Sequence, residues 1–181
     1  MQSLTARLTR FRDDDGGTMV LEATLVLPMM LWAFLGLYTY WDAYRAATTI
    51  QKASYAISDM ISREQRPVNA AYIEGMRQVM DAMIAPGLDS EIRVTSVEWS
   101  GVREQFEVQW SRESGTSLPA LTTATLQPKA DSIPDMNDGD TIMLVETWVD
   151  YEPMLDVGIT DKRFEQFIVT RPRYSPKIVY Q

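Results

Sequence analysis

The chain has no cysteine and no histidine among its 181 residues. Without cysteine it can form neither a disulfide framework nor a thiolate metal site. Without histidine it lacks the usual general base, the Ser-His-Asp triad and the commonest metal ligand. Positive charge is also scarce: 17 Lys/Arg stand against 25 Asp/Glu, for a net charge of −8. Beyond Trp41 the balance is 14 against 21, whereas a nucleic-acid binder needs a clustered basic surface. There is no Gly-rich phosphate loop and no Ser/Lys pair at catalytic spacing. Enzymatic activity is not expected, and neither is a cofactor.

Charge of either sign is missing altogether from one stretch. Residues 19–41 read MVLEATLVLPMMLWAFLGLYTYW, and Glu22 is their one charge. The 19 residues 23–41 carry none, close to the roughly 20 apolar residues that a helix needs to cross a bilayer core. A cleaved secretory signal has a shorter apolar core of about 7–15 residues and ends at small residues. Here Asp42, Tyr44 and Arg45 interrupt the small residues Ala43, Ala46 and Ala47. A buried core helix would show a polar face and no aromatic cluster at one end. Tyr38, Tyr40, Trp41 and Tyr44 instead gather at the C-terminal end, as an interfacial belt does.

Arg7, Arg10 and Arg12 precede the run, followed by Asp13, Asp14, Asp15, Gly16 and Gly17. Arg45 and Lys52 follow it. Lys and Arg near the ends of a span decide its direction, and acids weigh little. The short basic tail therefore places the N-terminus in the cytoplasm and the long C-terminal part outside. Pro28 lies inside the run, frees a backbone carbonyl and is a candidate kink. Glu22 lies near the cytoplasmic boundary, where an acid costs less than the roughly 2.5–3.5 kcal/mol it costs at mid-membrane. It either sits at headgroup level in the first turns of the helix, favoured by the macrodipole, or pairs with a positive group on a partner.

The segment RFRDDDGGTMVLEATLVLPMMLWAFLGLY resembles the N-terminal signature of TadE/TadG-like proteins, minor-pilin-like components of the tight-adherence (Tad) pilus machinery. The likeness rests on the basic tail, Gly17, Glu22 and the run Leu25-Val26-Leu27-Pro28, and covers roughly residues 10–60. It implies a bacterial inner-membrane protein with a periplasmic domain, working among pilins or pseudopilins and an inner-membrane platform. It also implies a candidate prepilin-peptidase site, with Gly17 before the cut and Thr18 as first mature residue. Glu22 would then be the fifth mature residue, set to neutralise the terminal amine of a neighbouring subunit and so fix helix register. Ala23 stands where cut members often carry an aromatic residue, and an uncut member would be a single-pass membrane protein; both states stay open.

Beyond Trp41 the helical pattern continues. Ala43, Ala46, Ala47, Ile50, Ala53, Ile57, Met60 and Ile61 recur at steps of three and four. Pro67 ends the run near Arg66. A helix over 18–65 would be about 72 Å long at 1.5 Å per residue, and its outer half must bury its stripe against the domain that follows or against another subunit. A second helix is expected over 68–84, with Val68, Ala71, Tyr72, Met76, Val79, Met80 and Met83 as its stripe, stopped by Ala85-Pro86-Gly87.

The period then changes to two. Residues 91–99 alternate Ile92 and Val94 against Arg93 and Thr95. In 105–111, Phe106, Val108 and Trp110 share one face, and with the turn at Ser100-Gly101 the two runs form a hairpin. A short helix over 118–126 is expected from Pro119. A strand over 140–151, apolar on both faces, should be central, and a fourth runs over 163–171. The tail, with Ile178, Val179 and Tyr180, is expected to pack. The segment DSIPDMNDGD, with Asp131, Asp135, Asn137, Asp138 and Asp140, loosely resembles a calcium loop. It lacks the EF-hand spacing and reads as a solvated loop, so no metal is expected.

The expected fold is α+β: a long transmembrane helix extended outside the membrane, then an antiparallel sheet of about four strands with a second helix. The expected divisions are a leader (1–17), a membrane helix (18–41), its continuation (42–66) and a periplasmic domain (67–181). The function expected from the resemblance is that of a membrane-anchored component of Tad-type pilus assembly or secretion. A membrane-anchored periplasmic binding or sensor module is the alternative.

Overall fold

The computed structural model describes residues 17–115, 118–155 and 157–181. The leader charges Arg7, Arg10, Arg12 and Asp13 to Asp15 lie outside the described residues. The architecture is α+β. Helix α1 spans Thr18–Ser62 (45 residues), about 68 Å at 1.5 Å per residue, and α2 spans Ala70–Met83. Strands β1 (Ser90–Ser100), β2 (Gln105–Ser114), β3 (Thr141–Tyr151) and β4 (Lys162–Thr170) form one sheet in the order β2-β1-β3-β4. Every neighbouring pair is antiparallel. The connection from β2 to β3 carries a one-turn helix α3 (Thr123–Leu126) and a 3₁₀ helix (Gln127–Ser132).

The second half of α1 lies across the sheet against β3 and β4, with α2 beside it. Its buried positions are Ala46, Ile50, Ala53, Ser54, Ile57, Ser58, Ile61 and Ser62, preceded by Thr39. Small residues on this face let the helix backbone approach the sheet closely. Ser54 shows how polar groups are accommodated there. Its hydroxyl donates to the Ile50 carbonyl (2.8 Å) and lies 2.7 Å from the Thr147 hydroxyl on β3. With Ser54's proton already spent, Thr147 is the donor between them, and both buried hydroxyls are satisfied.

Helix α1 ends at Ser62, three residues before the expected boundary. The Glu64 carboxylate accepts the amides of Gln65 (2.9 Å) and Arg66 (3.0 Å), closing a turn that competes with further helix. Helix α2 starts two residues later than expected, because Asn69 caps it by accepting the Tyr72 amide. Val68 is left free to bridge the C-terminal tail: its amide donates to the Val179 carbonyl, and the Gln181 amide donates to the Val68 carbonyl. Ile73, Met76, Met80 and Ile84 make the buried stripe of α2, while Val79 and Met83 are exposed. Arg77 on α2 pairs with Glu74 (2.6 Å) and Asp81 (2.7 Å), and Asp81 in turn accepts the Ser90 amide and hydroxyl. Arg77, then Ser114, lower the Glu74 carboxyl to about 2. The stabilisation that Glu74 gains from Arg77 and from the Ser114 hydroxyl at the end of β2 is therefore full above pH 4.5 and is lost as pH falls from there toward 2.

Both faces of the sheet are covered. One face carries Ile92, Val94, Met143, Val145 and Val149 under the two helices. The other carries Val97, Phe106, Ile142 and Leu144 under Leu121, Leu126 and Ile133 from the β2–β3 connection. β3 is central, as expected, and buried along nearly its whole length. The expected alternation of β2 fails at one place. The register jumps from Ser96↔Trp110 to Val97↔Val108, so Gln109 is the extra residue of a bulge. Phe106 and Val108 face the connection, but Trp110 is turned to the helix side, where its indole donates to the Ile178 carbonyl (2.8 Å). The helix expected over 118–126 is confined to Thr123–Leu126, begun by a capping box at Thr122. Pro119 is not its start; its carbonyl accepts Arg93 instead (2.8 Å).

Candidate membrane anchor and its junction with the domain

Residues 18–34 of α1 are exposed throughout and pack against none of the other described residues. Met19, Leu21, Leu25, Leu27, Met29, Met30, Leu31, Trp32 and Phe34 are each more than 60% exposed. A polar solvent would have to wet apolar surface on every side of a helix, an arrangement stable only in lipid or against other helices. Thr18–Ser62 is long and apolar enough to cross a membrane, and its apolar half lies entirely outside the protein core. This long apolar N-terminal helix fits a single-pass membrane anchor.

Gly17 is the N-cap and is exposed, with Thr18 the first helical residue. Glu22 is exposed on the second turn, and the first turn holds no acid. Dipole stabilisation fades beyond the first turn, so the macrodipole gives Glu22 little help. The helix runs through Pro28 without a break, although Pro28 has no N–H to offer the Thr24 carbonyl. One turn earlier the Thr24 hydroxyl donates to Val20's carbonyl (2.7 Å). Tyr38, Tyr40, Trp41 and Tyr44 are all exposed.

The domain meets the anchor at Asp42. The Tyr151 hydroxyl, at the end of β3, donates to the Asp42 carboxylate (2.8 Å). Burial first, then the hydrogen bond to Asp42 and its charge, push the Tyr151 phenol up to about 12. A raised phenol pKa means stabilisation that is complete below the ordinary value of 10 and is lost as pH rises from there to 12. Tyr151→Phe should cost about 1.5–3 kcal/mol at neutral pH, the range for hydrogen bonds to charged groups. That difference should shrink as pH is raised between 10 and 12, which urea midpoints of the two proteins at several pH values would check.

On the far face of the sheet lies a buried charge cluster that the sequence did not announce. Arg93 and Glu146 stand directly opposite on β1 and β3. The Arg93 Nε donates to Glu146 Oε2 (2.7 Å), and the guanidinium lies 5.1 Å from the centroid of the Trp148 ring. Lys129 from the 3₁₀ helix takes the other Glu146 oxygen. Glu146 is 1% exposed and Arg93 8%. Both Glu146 oxygens are paired, Arg93 also reaches the connection, and the Lys129 side chain is 43% exposed, so the cluster reads as a lock between sheet and connection.

The acidic segment 131–140 does not converge. Asp138 accepts the Gly101 amide (2.7 Å), Asp140 accepts the Asn137 amide, and among the described residues no three carboxylates gather at one point. At that end of the domain Trp99, Phe106, Gln127, Asp131, Asp135 and Met136 line an open cleft. In comparisons with family models, curated proteins and solved structures, none matches this chain.

Proposed function

We propose that the chain is a membrane-anchored, minor-pilin-like component of a Tad-type pilus assembly or secretion system, acting by helix packing with partner subunits. The observation that carries this reading is the division of α1. One continuous helix presents an exposed apolar segment over 18–34 and builds its other half onto an antiparallel sheet. Such a helix can hold the domain to a membrane and pack beside its own kind, and the N-terminal resemblance supplies the system. In this reading the domain is periplasmic, the N-terminus is cytoplasmic, and the partners are pilins or pseudopilins, the inner-membrane platform and, if the chain is cut, prepilin peptidase.

Glu22 is the residue assigned to register. Cut after Gly17, the chain would begin at Thr18, and its terminal amine could pair with Glu22 of a neighbour. Glu22→Ala should abolish or strongly impair pilus assembly while leaving the domain's urea midpoint unchanged. Normal piliation in that variant would remove Glu22 from the mechanism. The intact mass of the mature protein separates the two states: loss of residues 1–17 marks a cut subunit, and their retention marks a single-pass anchor. The cleft beside Trp99 and Phe106, aromatic with carboxylates at its rim, favours the second reading, a tethered binding module. In that case its loss, and not that of Glu22, would abolish function.

A further inference from the structure

The connection between β3 and β4 passes beside the middle of α1. Tyr151 is tied to Asp42, and Gly158 stands beside Tyr40, two residues nearer the start of α1. At Gly158, whose φ is +99°, a Cβ would lie 3.6 Å from the Tyr40 hydroxyl. The burial of α1 records the same descent. Thr39 is 2% exposed, and Leu35 and Gly36 are half-buried, while Phe34, Leu37 and Tyr38 around them are exposed. Gly158 brings the connection to Tyr40, the neighbour of Thr39 on that strip.

The covered strip and the aromatic belt are complementary. At about 100° per residue, Leu35 and Gly36 point within about 60° of Thr39, and Tyr38 and Tyr40 point about 100° to either side. Trp41 and Tyr44 point to the back of the helix. At the depth of 35–44 the aromatic residues thus encircle the helix except in the Thr39 sector, and Gly158 of the connection lies at the edge of that sector, against the Tyr40 hydroxyl. Its tip is apolar: Pro153, Met154, Leu155, Val157 and Ile159, with one acid, Asp156, outside the described residues. Met154 is 81% exposed, a large apolar side chain held out where the helix itself carries interfacial residues. The flanking charges Glu152, Asp161 and Lys162 are exposed on the shoulders of the connection, and no Lys or Arg interrupts the tip.

We infer that the β3–β4 connection is a second membrane contact, its tip led by Met154 seated in the lipid headgroup region beside Tyr40. The inference rests on reading α1 as a membrane anchor. The partner is a lipid surface, recognised by apolar burial without basic residues, so anionic lipid gives no added attraction. Held at Asp42 and again through the tip, the domain has a fixed tilt on the membrane and cannot swing about the helix.

The test uses the absence of native cysteine. Single substitutions Met29→Cys, Met154→Cys and Val102→Cys each carry a nitroxide in the full chain, reconstituted in phosphatidylcholine nanodiscs. Collision with oxygen, enriched in lipid, is compared with collision with a water-soluble nickel chelate. Met29 should favour oxygen. Val102, 91% exposed on the β1–β2 turn at the opposite end of the domain, should favour nickel. Met154 should lie between them, with several-fold less nickel collision than Val102. A Met154 probe that behaves like Val102 while Met29 remains in lipid overturns the contact and leaves the anchor standing. A Met29 probe that behaves like Val102 overturns the anchor reading and the contact with it.

Discussion

Replacing Glu146 with leucine should destabilise the folded domain by about 3–5 kcal/mol, the cost of stranding a buried charge by deleting its partner. The charge left behind is Arg93, 8% exposed. It cannot turn to water: Pro119's carbonyl holds one guanidinium nitrogen, and the Trp148 ring lies against the group. Lys129 can escape, since its side chain is 43% exposed. Arg93→Met should cost less than Glu146→Leu, because Glu146 keeps Lys129. The double variant Arg93→Met with Glu146→Leu should recover most of the loss, because an apolar pair of similar volume removes the desolvation cost of both charges. Urea unfolding of the full chain in detergent micelles, followed by tryptophan fluorescence, measures all four proteins of this cycle. A coupling between the two sites below about 0.5 kcal/mol would mean independent sites, and the account of the cluster as a lock would fail.

Leu31→Arg should release the chain from the membrane. Leu31 is 61% exposed near the middle of the bare half of α1. Arginine there costs about 2.5–3.5 kcal/mol on insertion scales, and the lost leucine adds about 0.5. Together these shift insertion by more than 100-fold, at 1.4 kcal/mol per tenfold. The span has little surplus to absorb this, since Thr24, Pro28, Gly36 and Thr39 already dilute it. Gln51→Arg, at an exposed position on the buttressed half of the helix, should change nothing. Partition between an alkaline carbonate extract and the membrane pellet reads both variants. Retention of Leu31→Arg in the pellet, with the domain folded, would count against a spanning helix.

The two variants probe parts of the molecule that were unequally legible. The anchor needs only a count of apolar residues and the positions of four aromatics. The packing stripe of α1 was equally plain: of the positions at helical spacing, Ala46, Ile50, Ala53, Ile57 and Ile61 are buried. The central place of β3 followed from its being apolar on both faces. The serines on that stripe were hidden, because a serine on a helix reads as polar until its hydrogen-bond partner is known. Ser54 is buried because Thr147 lies opposite it.

The cover over the far face of the sheet was hidden for a related reason. Arg93 and Thr95 alternate with Ile92 and Val94, and that pattern reads as one wet face and one dry face. Both faces are dry, because the turn-rich connection folds back and lays Leu121, Leu126 and Ile133 over the second one. Trp110 was assigned to the wrong side because the bulge at Gln109 depends on pairing with β1, a property of two strands that one strand's alternation does not contain.

By itself, then, the sequence determined what is set within a few residues along the chain: the long apolar run, the helical stripe that continues it, the change to strand alternation, and the α+β class. Only the tertiary structure decided what depends on a segment brought from far away: the covering of the second sheet face, the Arg93–Glu146 pairing, the turning of Trp110 and the placing of Gly158 beside the Tyr40 hydroxyl. Burial is a property of a residue's surroundings. A local pattern reveals it only where the surroundings are regular, as on one stripe of a helix, and not where an irregular connection supplies the cover.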